Sequence, residues 1–293
     1  MTTSTDVDVT VVLCSAGDAP KVDEQLAALS RQETTRAWEL LIVDNGLSQS
    51  GRARVEHGAG ALARWRVVTA HERSGLSFAR NAGVAAATSR FVVFCDDDDI
   101  VSDGWLDAIA SALDEHTVVG GPLDLATINS ARAVRWRGGV RPGELPVHLD
   151  YLPYAVGANM GARTDAYRSV GGCDEDFVGG CEDVDVCWRI QEAGGSIGWV
   201  GAAPIDYRLR EDVRSFARQQ RGYGRNTVLL YARHRSHGAR RRSAFAFLVT
   251  LLRLAWGTRH LALGGDMRGR WCGSAAFVLG QVEGMIRHRT LYF

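Results

Sequence analysis

Four consecutive aspartates, Asp96–Asp99, follow the apolar run 91–95 in the stretch FVVFCDDDDI. Residues two apart in a strand point the same way, so Asp96 and Asp98 at its end can converge on one point. Converging carboxylates repel each other unless a divalent cation neutralises them, and such oxygen ligands suit Mg²⁺ or Mn²⁺ together with substrate phosphates. The alternative is a solvated acidic turn ahead of the next helix. The stretch predicts a Mg²⁺ or Mn²⁺ site with Asp96 and Asp98 as ligands.

The elements that would position these carboxylates alternate between strands and helices. Apolar runs predict strands at 9–14, 40–46, 66–70 and 91–95, and helical spacing predicts helices at 20–33, 76–87 and 102–116. Strands without polar alternation, separated by helices, indicate a mostly parallel sheet covered on both faces. Ligands bind at the carboxyl ends of such strands, where Asp44 and the aspartate run both fall. Ser102 or Asp103 is the expected cap of the third helix.

The second half of the chain has a different pattern. Short helices are predicted at 164–172 and 182–195, and a strand at 196–200. From about Val213 the sequence is arginine-rich and helical in pattern, with no strong break. These features predict an α/β domain over residues 7–206 and a basic, mainly helical C-terminal extension over residues 207–293.

Charge is divided unevenly along the 293 residues, although the formal net charge is +0. Residues from Tyr207 onward include 17 arginines and 4 acidic residues, whereas residues 1–206 hold 17 basic and 30 acidic residues. A basic half of this kind suits phosphates, anionic lipid or the acidic half itself, and we expect no nucleic-acid partner. The N-terminus MTTSTDVDVT lacks a signal sequence and no 18-residue apolar run occurs, which predicts a cytoplasmic protein with reduced thiols.

An ordered series of sequence blocks suggests a family. The chain contains VTVVLC, ELLIVDNG, HERSGLSFARNAGVAAA, FVVFCDDDDI, GANMGARTDAYRSVGGCDEDF and CEDVDVCWRIQEAGG, in that order. This series resembles the inverting family-2 glycosyltransferases of the GT-A (nucleotide-diphospho-sugar transferase) fold, over roughly residues 8–206. The resemblance implies an enzyme that transfers a sugar from a nucleoside-diphosphate sugar.

The resemblance also implies residues that bind the donor. Asp44 matches the aspartate that contacts the nucleotide base, and Ser15 lies in the segment that lines the ribose and base. Asp96 and Asp98 match the D-x-D motif for metal and sugar nucleotide, with Asp97 at the variable position and Asp99 as an extra acidic residue. The full implied donor set is Ser15, Asp44, Arg80, Asn81, Asp96, Asp97 and Asp98.

The acceptor side is implied by two further blocks. Asp174 and Glu175 match positions near the acceptor or donor sugar, and CEDVDVCWR matches the motif that supplies the catalytic base. On that match Asp183 is the base and Glu182 its neighbour. On a helix Asp185 points away from Asp183. The alternative is that these acids have no catalytic role and lie in the first turn of a helix because the helix macrodipole favours negative charge there.

One position departs from the family pattern. Many members have a metal-binding histidine after a later strand, where this chain has Tyr207 in APIDYRLRED. Protonated tyrosine is a poor ligand for Mg²⁺ or Mn²⁺. Either the carboxylates alone hold the metal, or a nearby group such as His234 replaces the histidine.

The basic extension contains two segments of interest. Residues 215–235 lie where related enzymes carry a segment that closes over the diphosphate, so Arg221 and Arg225 are candidate diphosphate ligands; solvated helix arginines are the alternative. Residues 240–256 place three arginines before about 14 apolar residues, too few to span a bilayer. This segment suits peripheral membrane contact, with packing on the catalytic domain or a homodimer contact as alternatives.

The sequence therefore favours an inverting, metal-dependent hexosyltransferase-type enzyme in bacterial glycan, cell-envelope or secondary-metabolite biosynthesis. The expected acceptor is a hydroxyl of a glycan, a lipid-linked sugar or a small molecule, and the location includes the inner face of the plasma membrane. A nucleotidyltransferase would need a glycine-rich basic loop, which SAGDAPK resembles poorly. A degenerate sugar-nucleotide-binding scaffold would not be expected to retain Asp98 and Asp183.

Overall fold

A computed structural model of the protein describes residues 7–138, 143–259 and 265–293. The strands are β1 (Val9–Gly17), β2 (Trp38–Leu47), β3 (Trp65–Thr69), β4 (Phe91–Asp96), β5 (Ile100–Val101), β6 (Val118–Gly120), β7 (Leu123–Asp124), β8 (Asn159–Arg163), β9 (Ile197–Trp199) and β10 (Ile205–Asp206). The helices are α1 (Val22–Ser30), α2 (Gln49–Ala59), α3 (Leu76–Ala86), α4 (Trp105–Glu115), α5 (Ala131–Arg137), α6 (Thr164–Ser169), α7 (Glu182–Glu192), α8 (Val213–His234), α9 (Ala244–Gly257) and α10 (Gly265–Arg287).

A seven-stranded sheet in the order β3-β2-β1-β4-β8-β6-β9 forms the centre of the catalytic half. Strands β3, β2, β1 and β4 pair in parallel, and β8 alone runs antiparallel to both of its neighbours. The predicted mostly parallel sheet is confirmed. A second, three-stranded sheet joins β5, β10 and β7 and brings the segment after β10 next to the aspartate run.

Strand register brings the predicted donor residues to one edge of the sheet. Ser15 on β1 is in register with Asp44 on β2, and Cys14 is in register with Asp96 on β4. Because these strands are parallel, Asp44 in β2 and Asp96 at the end of β4 lie toward the same edge of the sheet. The expectation that Asp44 and the aspartate run lie at the same edge of the sheet is confirmed.

Two apolar layers cover the sheet. Leu26 of α1 and Trp105 of α4 pack with Val11 and Leu13 on one face, while Val84 of α3 packs with Val12 on the other. Both faces of β1 are buried, which explains the uninterrupted apolar run at residues 11–14. Helices on both faces of the sheet are thereby confirmed.

Two expectations about helix ends are wrong. Helix α4 begins at Trp105 after Gly104, which has φ of 73°, and neither Ser102 nor Asp103 caps it. The C-terminal region is also interrupted: α8 ends at His234, and α9 starts only after Ser243, whose hydroxyl accepts a hydrogen bond from the Ala246 N–H. Gly238, at φ of 125°, turns the chain between these helices.

Glycines allow the backbones of α8 and α10 to pack directly against each other. A Cβ on Gly280 would lie 2.0 Å from the Arg221 carbonyl oxygen, and one on Gly224 would lie 2.0 Å from the Phe277 carbonyl oxygen. Helix α8 also buries Leu229 and Leu230 against Trp188 of α7. The extension is therefore packed on the catalytic half, and the domain boundary near residue 206 stays a prediction.

Candidate functional site

Three carboxylates meet at the end of β4. Oxygens of Asp96, Asp98 and Asp99 lie within 4.8 Å of one another. Asp99 is fully buried; its Oδ1 accepts the Arg208 N–H at 2.7 Å, and its Oδ2 has no hydrogen-bond partner among the described residues. A buried carboxylate oxygen without a partner is costly unless a cation meets it. The group therefore fits Mg²⁺ or Mn²⁺, with Asp99 as a ligand that the sequence did not assign.

Burial and mutual repulsion raise the pKa values of three carboxylates in the aspartate run, Asp97, Asp98 and Asp99. Burial, with the charges of Asp96 and Asp98, raises the pKa of Asp99 to about 9. Burial also raises the pKa of Asp97 to about 6, although the Ser15 hydroxyl donates to its Oδ2. Such a set is stable as fully charged carboxylates only beside compensating positive charge.

Arg80 connects the aspartate run to the helix that carries the predicted base. Its side chain is only 3% exposed, with Nη2 3.2 Å from Asp96 Oδ1 and Nη1 2.8 Å from Glu182 Oε1. Burial lowers the pKa of Arg80, but these two carboxylates raise it above its ordinary value. Gly157 leaves room for the guanidinium, since a Cβ there would lie 2.5 Å from Nη1.

Asp183 lies in the first turn of α7 and faces the cavity. Its Oδ2 accepts the Gly157 N–H at 2.8 Å, and its Oδ1 accepts the Val184 N–H at 2.9 Å. Burial raises the pKa of Asp183, opposed by these backbone donors. Burial and the Asp183 charge raise the pKa of Glu182 to about 7, opposed by Arg80. Asp183 is a fixed, partly desolvated carboxylate of the kind that serves as a general base.

Asp185, two residues on, has different surroundings. It is 1% exposed. Its Oδ2 accepts a hydrogen bond from Arg189 Nε at 2.8 Å, and its Oδ1 lies 2.9 Å from His234 Nε2. The expectation that it points away from Asp183 is confirmed.

A cavity of about 1200 Å³ reaches both acidic motifs, the aspartate run through Asp96 alone. Asp96, Glu182 and Asp183 line it together with Tyr154 and several other aromatic side chains. Its walls also carry six arginines: Arg80, Arg137, Arg210, Arg218, Arg221 and Arg225. A cavity with so many guanidinium groups suits an anionic ligand.

The segment after β10 supplies contacts that sequence reasoning missed. Arg208 Nε donates to the Asp98 carbonyl at 2.6 Å, and Arg210 Nη1 lies 3.3 Å from Asp98 Oδ2. The RLR pattern in APIDYRLRED was the available signal. Tyr207 lines the cavity where a histidine was expected, and burial, with Tyr223 and Asp96 nearby, raises its pKa. His234 does not join this group, because Asp185 and Glu192 engage both of its ring nitrogens.

The remaining donor candidates have internal partners. Asp44 is buried; burial raises its pKa, but the Leu47 N–H, His71 and Arg52 hold the pKa below its ordinary value. The Asn81 amide exchanges two hydrogen bonds of 2.8 Å with the Cys173 backbone. Neither side chain is among the described residues that line the cavity. Their roles at the nucleotide stay predictions.

The acceptor and diphosphate candidates fall into two groups. Asp174 pairs with Arg233 at 3.1 Å and Glu175 with Arg73 at 2.5 Å, outside the described cavity wall. Arg221 and Arg225 do line the cavity, although Glu283 binds Arg221 and the Val178 carbonyl accepts from Arg225 at 2.7 Å. The structure thus brings Arg221 and Arg225 to the cavity of Asp183, whereas Asp174 and Glu175 are not among the described residues that line it.

Sheet order, acidic motifs and cavity define the GT-A class of sugar-nucleotide-dependent folds. The chain matches Glycosyl transferase family 2 over residues 10–171 and Glycosyl transferase family group 2 over residues 91–279. The first match covers more than half of the chain, so the protein belongs to the family-2 glycosyltransferases.

Relatives and solved structures are consistent with this assignment. The chain is 29% identical over 238 residues to the Pre-mycofactocin glycosyltransferase of Mycobacterium tuberculosis, covering 78% of this chain and 48% of that protein. It therefore spans about half the length of that relative. It is 27% identical to the Succinoglycan biosynthesis protein ExoM of Rhizobium meliloti, covering 92% of this chain and 84% of that protein.

The fold is shared with a solved mannosyltransferase, PcManGT from Pyrobaculum calidifontis, in complex with GDP-Man and Mn²⁺. The TM-score is 0.67 at 17% identity, covering 96% of this chain and 87% of that one. S. aureus TarS 1-349 in complex with UDP-GlcNAc gives a TM-score of 0.55 at 17% identity, covering 98% and 93%. At these identities the likeness concerns the fold.

Proposed function

We propose that the protein is a metal-dependent, inverting glycosyltransferase that moves a sugar from a nucleoside-diphosphate sugar to an acceptor hydroxyl. The observation that carries the proposal is that Asp183 and Asp96 open to one cavity and are connected through Glu182 and Arg80. A leaving-group site and a proton acceptor in one arginine-lined cavity are the two groups this transfer needs.

The donor is held through its diphosphate. A Mg²⁺ or Mn²⁺ ion held by Asp96, Asp98 and Asp99 would stabilise the negative charge that develops on the departing diphosphate. Arg210, Arg221 and Arg225 lie along the same cavity and add positive charge there. Ser15, Asp44, Arg80, Asn81 and Asp97 complete the donor side in this proposal.

Asp183 takes the proton. As the acceptor hydroxyl oxygen attacks the anomeric carbon, its proton passes to Asp183, and the bond to the diphosphate breaks with its electron pair on the leaving oxygen. A single displacement inverts the anomeric centre. The Gly157 and Val184 N–H groups hold the Asp183 carboxylate, and Arg80 holds the neighbouring Glu182. Asp174 and Glu175 border the acceptor region.

The acceptor is a hydroxyl of a glycan, a lipid-linked sugar or a small molecule in bacterial glycan, cell-envelope or secondary-metabolite biosynthesis. Relatives named for succinoglycan biosynthesis and for pre-mycofactocin glycosylation support this range. The tyrosines Tyr154, Tyr207 and Tyr223 in the cavity wall suit the apolar face of a sugar ring.

A panel of nucleoside-diphosphate sugars tests the proposal without a known acceptor. The protein is incubated with each donor, with and without Mn²⁺, and free nucleoside diphosphate is measured as sugar is transferred to water. Metal-dependent release from at least one donor is expected. Binding of every tested donor without release would identify a scaffold, and release of pyrophosphate from a nucleoside triphosphate would identify a nucleotidyltransferase.

We further propose that α9 rests on the inner surface of the plasma membrane. Its most exposed apolar side chains form one stripe along the helix, each at least 52% exposed: Phe245, Leu248, Leu252 and Trp256. Helix α9 has no acidic residue, and Arg240, Arg241, Arg253 and Arg259 are exposed in or beside it. An apolar stripe bordered by arginines matches an anionic bilayer surface.

Among the described helices, none combines the length and apolar character needed to cross a bilayer.

A further inference from the structure

A second group of metal-ligating side chains lies outside the cavity, where α7 and α8 end. Glu192 is the last residue of α7, His234 is the last residue of α8, and His237 follows three residues later. Their ligand atoms lie within 4.8 Å of one another. His234 Nδ1 is 2.7 Å from Glu192 Oε1, and His237 Nδ1 is 2.9 Å from Glu192 Oε2.

Outer contacts already orient these ligands. The second ring nitrogen of His234, Nε2, lies 2.9 Å from Asp185 Oδ1, and Arg189 holds Asp185 in turn. Tyr151 donates to Glu192 Oε1 at 3.1 Å. A histidine whose outer nitrogen donates to a carboxylate presents its other nitrogen as a ligand, which is the usual arrangement around a bound zinc ion. His234 Nδ1 is therefore the inward-facing donor.

The donor chemistry differs from that of the aspartate cluster. Two imidazole nitrogens and one carboxylate suit Zn²⁺ and similar transition metals, whereas oxygen-only groups suit Mg²⁺ or Mn²⁺. Zinc ligands lie about 2.0–2.2 Å from the ion, so neighbouring donors are separated by about 3.4 Å, and the present contacts need to widen by roughly 0.5–0.7 Å. The His237 side chain is 52% exposed, which gives its ring freedom and the ion a path from solvent.

We propose that Glu192, His234 and His237 bind one zinc-class divalent cation that fastens the C-terminal end of α8 to the C-terminal end of α7. The ion takes the place of the proton between His234 and Glu192, which is released to solvent on binding. A water from the exposed side completes four-coordination. Helix α7 begins with Glu182 and Asp183, so the ion stabilises the helix that carries the base without touching substrate.

The test is a zinc titration of the full chain after removal of metals, carried out in excess Mg²⁺ and in an Asp98→Asn background to suppress binding at the aspartate cluster. We expect one Zn²⁺ per chain, release of a proton, and a higher melting temperature with Zn²⁺ than with Mg²⁺ alone. Co²⁺ in place of Zn²⁺ should give the visible absorption of a four-coordinate nitrogen–oxygen site.

His237→Ala is the decisive variant, and His57→Ala, which removes an exposed histidine from α2, is its control. His237→Ala leaves the His234–Asp185 contact in place, so the metal-free protein should melt within a degree or two of the parent. Its zinc affinity should fall at least about tenfold, while His57→Ala binds normally. Absence of zinc binding in the parent, or unchanged affinity in His237→Ala, would overturn the proposal.

Discussion

At the scale of single residues, the site depends on the buried guanidinium of Arg80, which lies between the two acidic motifs. Arg80 reaches Asp96 on one side and Glu182 on the other, with its side chain almost wholly excluded from solvent. Removing either carboxylate would leave a buried charge with less compensation, which is costly. The same contact keeps the donor end and the base end of the cavity in fixed relation.

Asp99 should contribute directly to metal binding. Asp99→Asn keeps an oxygen for the Arg208 N–H but removes the charge and one oxygen of the only fully buried member of the cluster. Mn²⁺ affinity, measured from free Mn²⁺ by electron paramagnetic resonance, should fall about tenfold or more. Asp97→Asn is the matched control, because that carboxylate contacts Ser15 instead of the cluster, and should change affinity little. Equal losses in both variants would argue against Asp99 as a ligand.

Activity should fall on the acid side at a higher pH than for an ordinary carboxylate base. The base acts deprotonated, and burial raises the pKa of Asp183, so protonation removes activity earlier as the pH falls. The profile of kcat/KM for nucleoside-diphosphate release should show this limb above the value of about 4 of a free carboxyl group. The kcat/KM profile of Glu182→Gln should keep its acid limb, because that limb reports the protonation of Asp183. A limb at the ordinary carboxyl value would contradict the assignment.

At the scale of elements, helices α7 and α8 both contribute to the cavity wall, and α10 packs against α8. Helix α7 supplies Glu182 and Asp183, while α8 supplies Arg218, Arg221 and Arg225. Arg221 also pairs with Glu283 of α10. The position of the arginines therefore depends on how closely α8 and α10 approach.

Gly280→Ala should destabilise the protein. The added Cβ would lie 2.0 Å from the Arg221 carbonyl oxygen, so α8 and α10 must separate, and overpacking of this kind costs about 1–3 kcal/mol. At about 2–4 °C per kcal/mol, the melting temperature in calorimetry should fall by several degrees. Gly201→Ala, whose Cβ would have its nearest contact at 3.4 Å, should melt like the parent. A melting temperature equal to that of the parent for Gly280→Ala would refute the close packing.

Helix α9 should bind anionic vesicles through its apolar stripe. Replacing Leu248, Leu252 and Trp256 by serine should abolish cosedimentation with phosphatidylglycerol vesicles, while binding to phosphatidylcholine vesicles is weak for the parent as well. Because the three positions are exposed, the variant should have the same melting temperature as the parent. A parent that stays in the supernatant but forms a dimer that these substitutions dissociate would show that the stripe is a contact between two copies instead.

At the scale of the whole molecule, the sequence predicts features that neighbouring residues determine, but it does not predict contacts between residues far apart in the chain. The strand ends at Asp44 and Asp96 can be recognised because apolar runs stop there, and parallel pairing then brings them to one edge. The contact between Arg80 and Glu182 joins residues 102 positions apart, and nothing in either motif specifies it.

Other features that the sequence did not predict also have physical causes. The cluster role of Asp99 depends on the turn after β4, which directs it inward beside Asp96, against the simple alternation of a strand. The break after His234 depends on Gly238 adopting positive φ, which composition alone does not reveal. The cap of α4 was misassigned because Gly104 turns the chain in the left-handed region, so no side chain is needed there.

The most direct test of the account is the turnover of Asp183→Asn at saturating donor and Mn²⁺. The change is nearly isosteric and removes only the proton acceptor, so turnover should fall about 10²–10⁴-fold while the dissociation constant of the nucleoside diphosphate stays close to that of the parent. Asp185→Asn, whose parent residue binds Arg189 and His234, should lower stability more than turnover. An active Asp183→Asn enzyme beside an inactive, folded Asp185→Asn enzyme would contradict the central claim.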